Sequence, residues 1–137
     1  MAATQAHTKM AQRMSEAGSK FLNSLSQDQK GKACFEYLDG ERIFWYYPPM
    51  NRHGLALRDM ESNQRELAFK LMSTGLTDRS FDQARQIIAL EDVLGPLEKE
   101  RGVKSFKRDP ELYYFCLLYT SDAADEGLGV DLGGRRI

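Results

Sequence analysis

Apolar side chains recur at helical spacing in three stretches of this chain. Between Thr8 and Leu25 the apolar positions lie three, four or seven residues apart, and charged residues occupy the opposite side. Similar spacing recurs in residues 60–74 and 80–94. Stripes of this kind are typical of amphipathic helices that cover a core. We therefore predict helices whose apolar positions are Met10, Met14, Phe21, Leu22 and Leu25, then Met60, Leu67, Leu71 and Met72, and finally Phe81, Ala84, Ile87, Ile88, Leu90 and Leu94.

Local signals indicate where helices begin and end. Ser26 with Gln29, and Ser80 with Gln83, have the form of a capping box, in which two side chains satisfy free amides at a helix start. A short further helix is expected over Gln27 to Phe35. Glycine often follows the last helical turn, and proline cannot donate to the helix ladder. The expected stops are Gly75 and the pair Gly95-Pro96.

Between the helical stretches the composition becomes that of a strand. Glu41 to Tyr47 is rich in aromatic and β-branched residues, and Pro48-Pro49 ends it because proline has no N–H for a ladder. Asn51 to Gly54 is expected to be a loop. Glu111 to Phe115 is a second strand-like segment, following a turn at Asp109-Pro110. The predicted fold is mainly α with minor β, an α+β arrangement of amphipathic helices around a short aromatic strand at 41–47.

Length and charge exclude several classes of protein. The chain has 137 residues, enough for one domain with its own core, and a formal net charge of −1. A near-neutral chain lacks the basic patches that bind nucleic acid or an anionic membrane, so neither partner is expected. No apolar run reaches the length of a membrane span, and the first residues lack the apolar segment of a secretory signal. We therefore expect a cytoplasmic protein.

The residues after Phe115 resemble the translation of a sequencing-library adapter. Cys116 to Ser121 corresponds codon for codon to TGT-CTC-TTA-TAC-ACA-TCT, the leading arm of a transposase-type adapter. The correspondence continues in frame through Asp125, and it resumes from Val130 to Ile137 after the position of a variable index. The glycines of this segment fit neither a dinucleotide fingerprint nor a P-loop. We therefore expect residues 116–137 to be a non-native tail with few long-range contacts.

This interpretation divides the chain in two. Residues 1–115 are expected to be the truncated N-terminal portion of a domain, and residues 116–137 the adapter-derived tail. The remainder of the domain would then be the partner that the N-terminal portion lacks. The oligomeric state of the protein is left open.

An ordered set of short motifs in residues 1–115 resembles the domain-of-unknown-function family numbered 3500. The resemblance implies a longer protein whose later segment, rich in histidine, arginine and tyrosine, carries any metal or catalytic site. The motif positions are Leu25 and Gln29; Glu41, Arg42, Trp45, Tyr47, Pro48 and Pro49; Arg52, Gly54, Leu55, Leu57 and Met60; Gln64 and Arg65; Leu90 and Glu91; and Asp109 to Tyr113.

The candidate ligand-binding residues lie within Glu41 to Met60. Arg42 and Arg52 supply planar donors for a carboxylate or phosphate, Trp45 supplies an aromatic wall, and His53 lies in a loop, where functional groups are often placed. The catalytic residues and the cofactor stay unknown, and no metal site is predicted, because two histidines and two cysteines at these spacings do not suggest three zinc ligands.

A structural interpretation of the same residues stays open. Trp45 would then be part of the core, and Arg42 would pair with a carboxylate such as Glu41, Glu91 or Asp92. On this alternative the protein is a non-catalytic binding or structural module, and residues 41–60 are its packing centre. The environment of Arg42 separates the two hypotheses, because a buried carboxylate partner favours a structural role and an open cleft favours a site.

Overall fold

The computed structural model describes residues 2–44, 50–103 and 107–119, with side chains from residue 8 onward. The fold is mainly α with minor β, as predicted. None of the described helices is long and apolar enough to cross a membrane.

The first helix, α1 (Ala2–Ser24), packs along α3 (Ser62–Thr74). The predicted stripes form this contact. Phe21 is fully buried and Leu25 is nearly so, and Leu71 meets them from α3. Phe115 stacks on Phe21, with 6.0 Å between the ring centroids, so that the C-terminal part of the described chain closes the same core.

Two capping boxes join the starts of neighbouring helices. Ser26 caps α2 (Gln27–Ala33) together with Gln29, as predicted, and Glu61 caps α3 together with Gln64. The two glutamines then pair with each other. Nε2 of Gln29 donates to Oε1 of Gln64 over 2.8 Å, and Nε2 of Gln64 donates back over 2.9 Å. Gln64 is thereby satisfied although it is buried.

The third predicted helix is two helices, α4 (Asp78–Ala89) and α5 (Glu91–Glu100). The predicted cap at Ser80 is wrong. Thr77 is the N-cap, and its hydroxyl accepts from the Ser80 amide, so the helix starts one turn earlier. The predicted stop at Gly95-Pro96 is also wrong, since both residues lie inside α5. Proline has the backbone angle of a helix, and here it costs one ladder bond in an exposed helix.

The strands are short and form two separate pairs. β1 (Cys34–Glu36) runs parallel to β4 (Leu117–Tyr119), and β2 (Leu55–Ala56) runs antiparallel to β3 (Tyr114–Phe115). Gly54 precedes β2 with φ of +108°, and a Cβ there would lie 2.9 Å from the Phe115 carbonyl oxygen. The turn predicted at Asp109-Pro110 is present, with the Leu112 amide donating to the Asp109 carbonyl.

The strand predicted over Glu41 to Tyr47 is wrong in its described part. Gly40–Ile43 forms a 3₁₀ helix, with Asp39 as its N-cap, and Phe44 follows it without regular structure. The Asp39 carboxylate accepts from the Glu41 amide and so starts a tight turn that overrides the β propensity of the following residues. Residues 45–49 lie outside the described part of the chain.

The prediction of few long-range contacts for residues 116–137 is wrong at its start. Leu117 is buried in the core cluster, and the Tyr37 amide donates to the Tyr119 carbonyl over 2.7 Å, extending the β1–β4 pairing. This packing counts against a non-native origin for residues 116–119. Val130 and the rest of 120–137 lie outside the described residues.

Candidate functional site

The clearest polar geometry in the 41–60 stretch is a histidine–carboxylate pair. Nδ1 of His53 lies 2.8 Å from Oε2 of Glu41. Glu41 lies on the 3₁₀ helix and its side chain is 13% exposed, whereas the side chain of His53, in the following loop, is 71% exposed. Because a carboxylate only accepts hydrogen bonds, Nδ1 carries the proton in this contact. The pair therefore fixes the ring orientation and leaves Nε2 for another partner.

Aromatic side chains of neighbouring elements contact both His53 and Arg42. The His53 ring stacks with Phe35 at 6.2 Å and with Phe44 at 6.4 Å between centroids. The guanidinium carbon of Arg42 lies 4.6 Å from the centroid of the Tyr37 ring, a cation–π contact. Phe35 lies in β1, and Tyr37 lies in the turn that follows it. The strand and its turn therefore contact His53 and Arg42 separately.

The environment of Arg42 differs from the one expected of a structural ion pair. Among the described residues no contact joins Arg42 to Glu41, Glu91 or Asp92. Instead Arg42 stacks on a tyrosine, and its Nε is buried without a hydrogen-bond partner. A buried guanidinium nitrogen without a partner costs free energy. We place Arg42 in the site on this ground.

The two remaining predicted site residues are Arg52 and Trp45. Arg52 is exposed and lies next to His53 in the loop that leads to Gly54. Trp45 lies outside the described residues. The structure thus brings His53 and Glu41 together, and Arg42 contacts Tyr37.

A second charged cluster, which sequence reasoning missed, lies beside α5. Arg108 donates two hydrogen bonds to Glu98, at 2.8 and 2.9 Å, and lies 3.7 Å from Glu91. The hydroxyl of Tyr113 donates to Glu91 over 2.9 Å. The hydrogen bond from Arg108 lowers the pKa of Glu98, and burial beside Glu91 raises the pKa of Tyr113 to about 12. Spacing could not reveal this cluster, but Glu91 and Tyr113 were among the family motif positions.

Two further ion pairs fix the turn before β3. Arg58 lies 2.6 Å from Asp109, and Arg65 lies 2.6 Å from Glu111. The Glu111 amide also donates to Asp109, and this bond lowers the pKa of the Asp109 carboxyl. All four side chains hold neighbouring segments of backbone together, so we assign them to the fold.

Few features of the described residues support a metal site or a nucleophilic thiol. Within them, no group of three or more histidine, cysteine, aspartate and glutamate side chains could hold a metal ion. Within the same residues Cys34 and Cys116 form no disulfide, and burial raises the pKa of the Cys34 thiol. A raised pKa disfavours the thiolate, which is the nucleophilic form.

Comparison with protein families identifies the chain. A family model described as "Protein of unknown function (DUF3500)" matches residues 7–135. The chain belongs to this family. The match confirms the resemblance noted in the sequence, and it also extends over most of residues 116–137. Neither a curated protein nor a solved structure matches the chain.

The motif positions that suggested the DUF3500 family have two kinds of role. Some are structural, because their side chains are buried or join elements of the fold, as described above: Leu25, Gln29, Gln64 and Arg65. Arg52 is exposed and adjacent to His53 in the loop, and Arg42 is adjacent to Glu41, the partner of His53. The structural positions explain the fold, and the surface positions define the candidate site.

Proposed function

We propose that Glu41, Arg42 and His53 form one wall of a ligand-binding or active site, in which His53 exchanges a proton with the ligand. The observation that supports this proposal is the 2.8 Å contact between Nδ1 of His53 and the Glu41 carboxylate. A carboxylate in this position holds the imidazole in one tautomer and one orientation. This is the arrangement of a general base or acid.

The charges around His53 favour an anionic ligand. Arg42 has its guanidinium stacked on Tyr37 rather than joined to a carboxylate among the described residues, and Arg52 neighbours His53 along the chain. Arginine in such a setting binds a carboxylate or a phosphate through two parallel N–H groups. Trp45 is proposed as an aromatic wall of the same site.

Nuclear magnetic resonance of the histidine rings tests this proposal. The chain has two histidines, so His7 serves as an internal control. We expect Nδ1 of His53 to carry the proton in the neutral ring, and Glu41→Gln to shift the ring toward the other tautomer. Inorganic phosphate or acetate should move the His53 signals and not those of His7. Equal responses of the two rings to the anions would contradict the proposal.

A second candidate function is a structural or binding module without catalysis, and a separate observation supports it. Leu55, Ala56, Leu57 and Met60 are all buried, so the C-terminal end of the 41–60 stretch serves the core. A chain with Arg42→Ala and Arg52→Ala separates the two candidates. Loss of anion binding with an unchanged free energy of unfolding favours the site, and loss of stability alone favours the structural module.

We also propose that residues 116–137 derive from adapter DNA, so that the natural chain differs after Phe115. The in-frame correspondence on both sides of the index position supports this origin. The burial of Leu117 and the extent of the family match argue against it. Sequencing the source DNA without library amplification decides the matter, because adapter codons would be missing from it.

The partners and compartment are proposed on composition. A formal charge of −1 gives nucleic acid and anionic membranes little to attract, so we propose that the chain binds neither and acts in the cytoplasm. Cell fractionation with an antibody to the chain tests this. Recovery with the membrane or the chromatin fraction would contradict it.

A further inference from the structure

α5 is a separate helix with little stability of its own. Leu90 is both the C-cap of α4 and the N-cap of α5, and it offers no side-chain cap. The helix has 10 residues, and Pro96 lies inside it, directly after Gly95. Isolated helices shorter than about 12 residues are marginal in water, and glycine and proline are the least favourable residues in a helix interior. The helical state of α5 therefore depends on contacts with the rest of the protein.

The inner side of α5 is polar. The structure describes every residue of this helix, and none of them is buried. Glu91, Gly95 and Glu98 are half-buried and the other residues of α5 are exposed, so these three positions, four and three residues apart, face the rest of the protein. In α4, by contrast, the half-buried residues include Phe81 and Ile88. The inner side of α5 therefore offers two carboxylates rather than an apolar stripe.

Arg108 lies across this inner side and contacts both carboxylates. Its Nε and Nη2 donate to Glu98 over 2.9 and 2.8 Å, and its Nη1 lies 3.7 Å from Glu91. A Cβ at Gly95 would lie 3.4 Å from the Cβ of Arg108, so the glycine lets the two segments approach closely. The Tyr113 hydroxyl adds a hydrogen bond to Glu91. The second charged cluster is therefore the main attachment of α5.

We propose that Arg108 controls an order–disorder transition of α5, in which the helix undocks and unfolds as a unit while α1 and α3 stay folded. The core cluster supports this independence, because it joins residues of α1 and α3, such as Phe21 and Leu71, and contains none of α5. Elements with few buried apolar contacts open locally at low free energy. Ordering and release of a segment is a common form of conformational switch. This inference is independent of the proposed site at His53.

Native-state hydrogen exchange of the full chain, followed by nuclear magnetic resonance, tests the proposal. The Arg101 and Val103 amides report on α5, because they donate to the carbonyls of Leu97 and Glu98. In Arg108→Ala we expect both amides to exchange about ten-fold faster or more, since two charge-assisted hydrogen bonds are lost. Amides inside α1 and α3 should keep their rates, which also verifies that the variant folds.

Two further variants separate the charge contact from a general loss of stability. Glu98→Gln should speed exchange at the same amides, and it should have little additional effect in a chain that already carries Arg108→Ala. The matched control is Lys32→Ala, which removes an ion pair of 3.4 Å with Asp59, outside α5, and should leave exchange in α5 unchanged.

Four outcomes would overturn the proposal. The first is an unchanged exchange rate at Arg101 and Val103 in Arg108→Ala, and the second is an equal loss of protection in α1 and α3. The third is a Glu98→Gln effect that adds in full to that of Arg108→Ala. The fourth is a Lys32→Ala variant whose α5 amides exchange as fast as those of Arg108→Ala.

Discussion

The pairing of Gln29 with Gln64 shows how one buried side chain joins two helices. Gln64 accepts from the Glu61 amide and from Gln29, and it donates to the Ser24 carbonyl over 2.7 Å. Gln64→Ala removes these hydrogen bonds from a part-buried place, although Gln29 keeps its bond to the Asp59 carbonyl. We expect the free energy of unfolding to fall by about 3 kcal/mol, since each unsatisfied group costs about 1–3 kcal/mol. Urea unfolding measures the change.

The control for this prediction is Gln83→Ala, on the exposed surface of α4. It should change stability by less than about 0.5 kcal/mol. A double-mutant cycle with Gln29→Ala isolates the paired amides. A coupling energy near zero would show that the two glutamines act independently, contrary to the geometry.

Two glycines make a matched pair with opposite expected signs. Gly54 has φ of +108° and no room for a Cβ beside Phe115, whereas a Cβ at Gly31 in α2 meets nothing within 4 Å. Gly54→Ala should therefore lower stability by about 1–3 kcal/mol. Gly31→Ala should raise it by about 0.5–1 kcal/mol, because alanine restricts the unfolded chain. Thermal unfolding measures both, and equal shifts in one direction would contradict the prediction.

Tyr113 gives the protein a pH dependence at high pH. An ordinary tyrosine has a pKa of about 10, and that of Tyr113 is raised to about 12. Between these values the unfolded chain loses the proton and the folded chain keeps it. The contribution of Tyr113 is therefore complete below about pH 10 and is lost as the pH rises toward 12.

Tyr113→Phe tests this prediction. The variant loses the hydrogen bond to Glu91, so it should be less stable at neutral pH by about 1 kcal/mol. Its stability should then decline less steeply than that of the unsubstituted chain between about pH 10 and pH 12. Urea unfolding across this range measures both slopes. Identical slopes would contradict the raised pKa.

At the scale of elements, the helices were predictable because their signal is local. Apolar stripes and the capping box at Ser26 depend on residues within one or two turns, so 8–25 and 60–74 were placed nearly correctly. The start of α4 was misplaced because Ser80 and Thr77 are both good caps three residues apart. The strand predicted at 41–47 was wrong in its described part, residues 41–44, because the Asp39 cap competes with β propensity there.

The helix start gives a direct prediction. The Thr77 hydroxyl accepts from the Ser80 amide over 3.2 Å. Thr77→Ala should lower stability by about 1 kcal/mol, the usual cost of a lost N-cap. Ser80→Ala should have a smaller effect, since its amide remains. If urea unfolding ranks the two variants in the opposite order, Ser80 is the cap after all.

The candidate site was only partly predictable from the sequence, because its contacts join residues that are far apart along the chain. Arg42, Arg52 and His53 could be selected by residue type and position. Their partners could not, because the contact of His53 with Glu41 spans 12 residues. The supports from Phe35 and Tyr37 likewise depend on how β1 folds back toward the loop. Contacts of this range are set by tertiary packing, on which local spacing carries no information.

At the scale of the whole molecule, two short strand pairs join the C-terminal end of the described chain to earlier segments. β1 pairs with β4 in parallel, which places residues 34–36 beside residues 117–119. Parallel pairing uses backbone groups, so it needs an extended apolar segment rather than a particular sequence. Cys116 to Tyr119 supplies such a segment whether its codons are native or derived from an adapter. The burial of Leu117 still counts against an adapter origin, and sequencing of the source DNA decides it.

Substitution of Leu117 measures the packing alone. Leu117 lies in the core cluster, and Leu118 is only partly buried on the other face of the strand. Leu117→Ala should lower the free energy of unfolding by about 2 kcal/mol, the lower end for a buried leucine. Leu118→Ala, matched in chemistry, should cost less because its side chain already meets water. Equal small effects would show that β4 contributes little, and residues 1–115 would then carry the stability of the described fold by themselves.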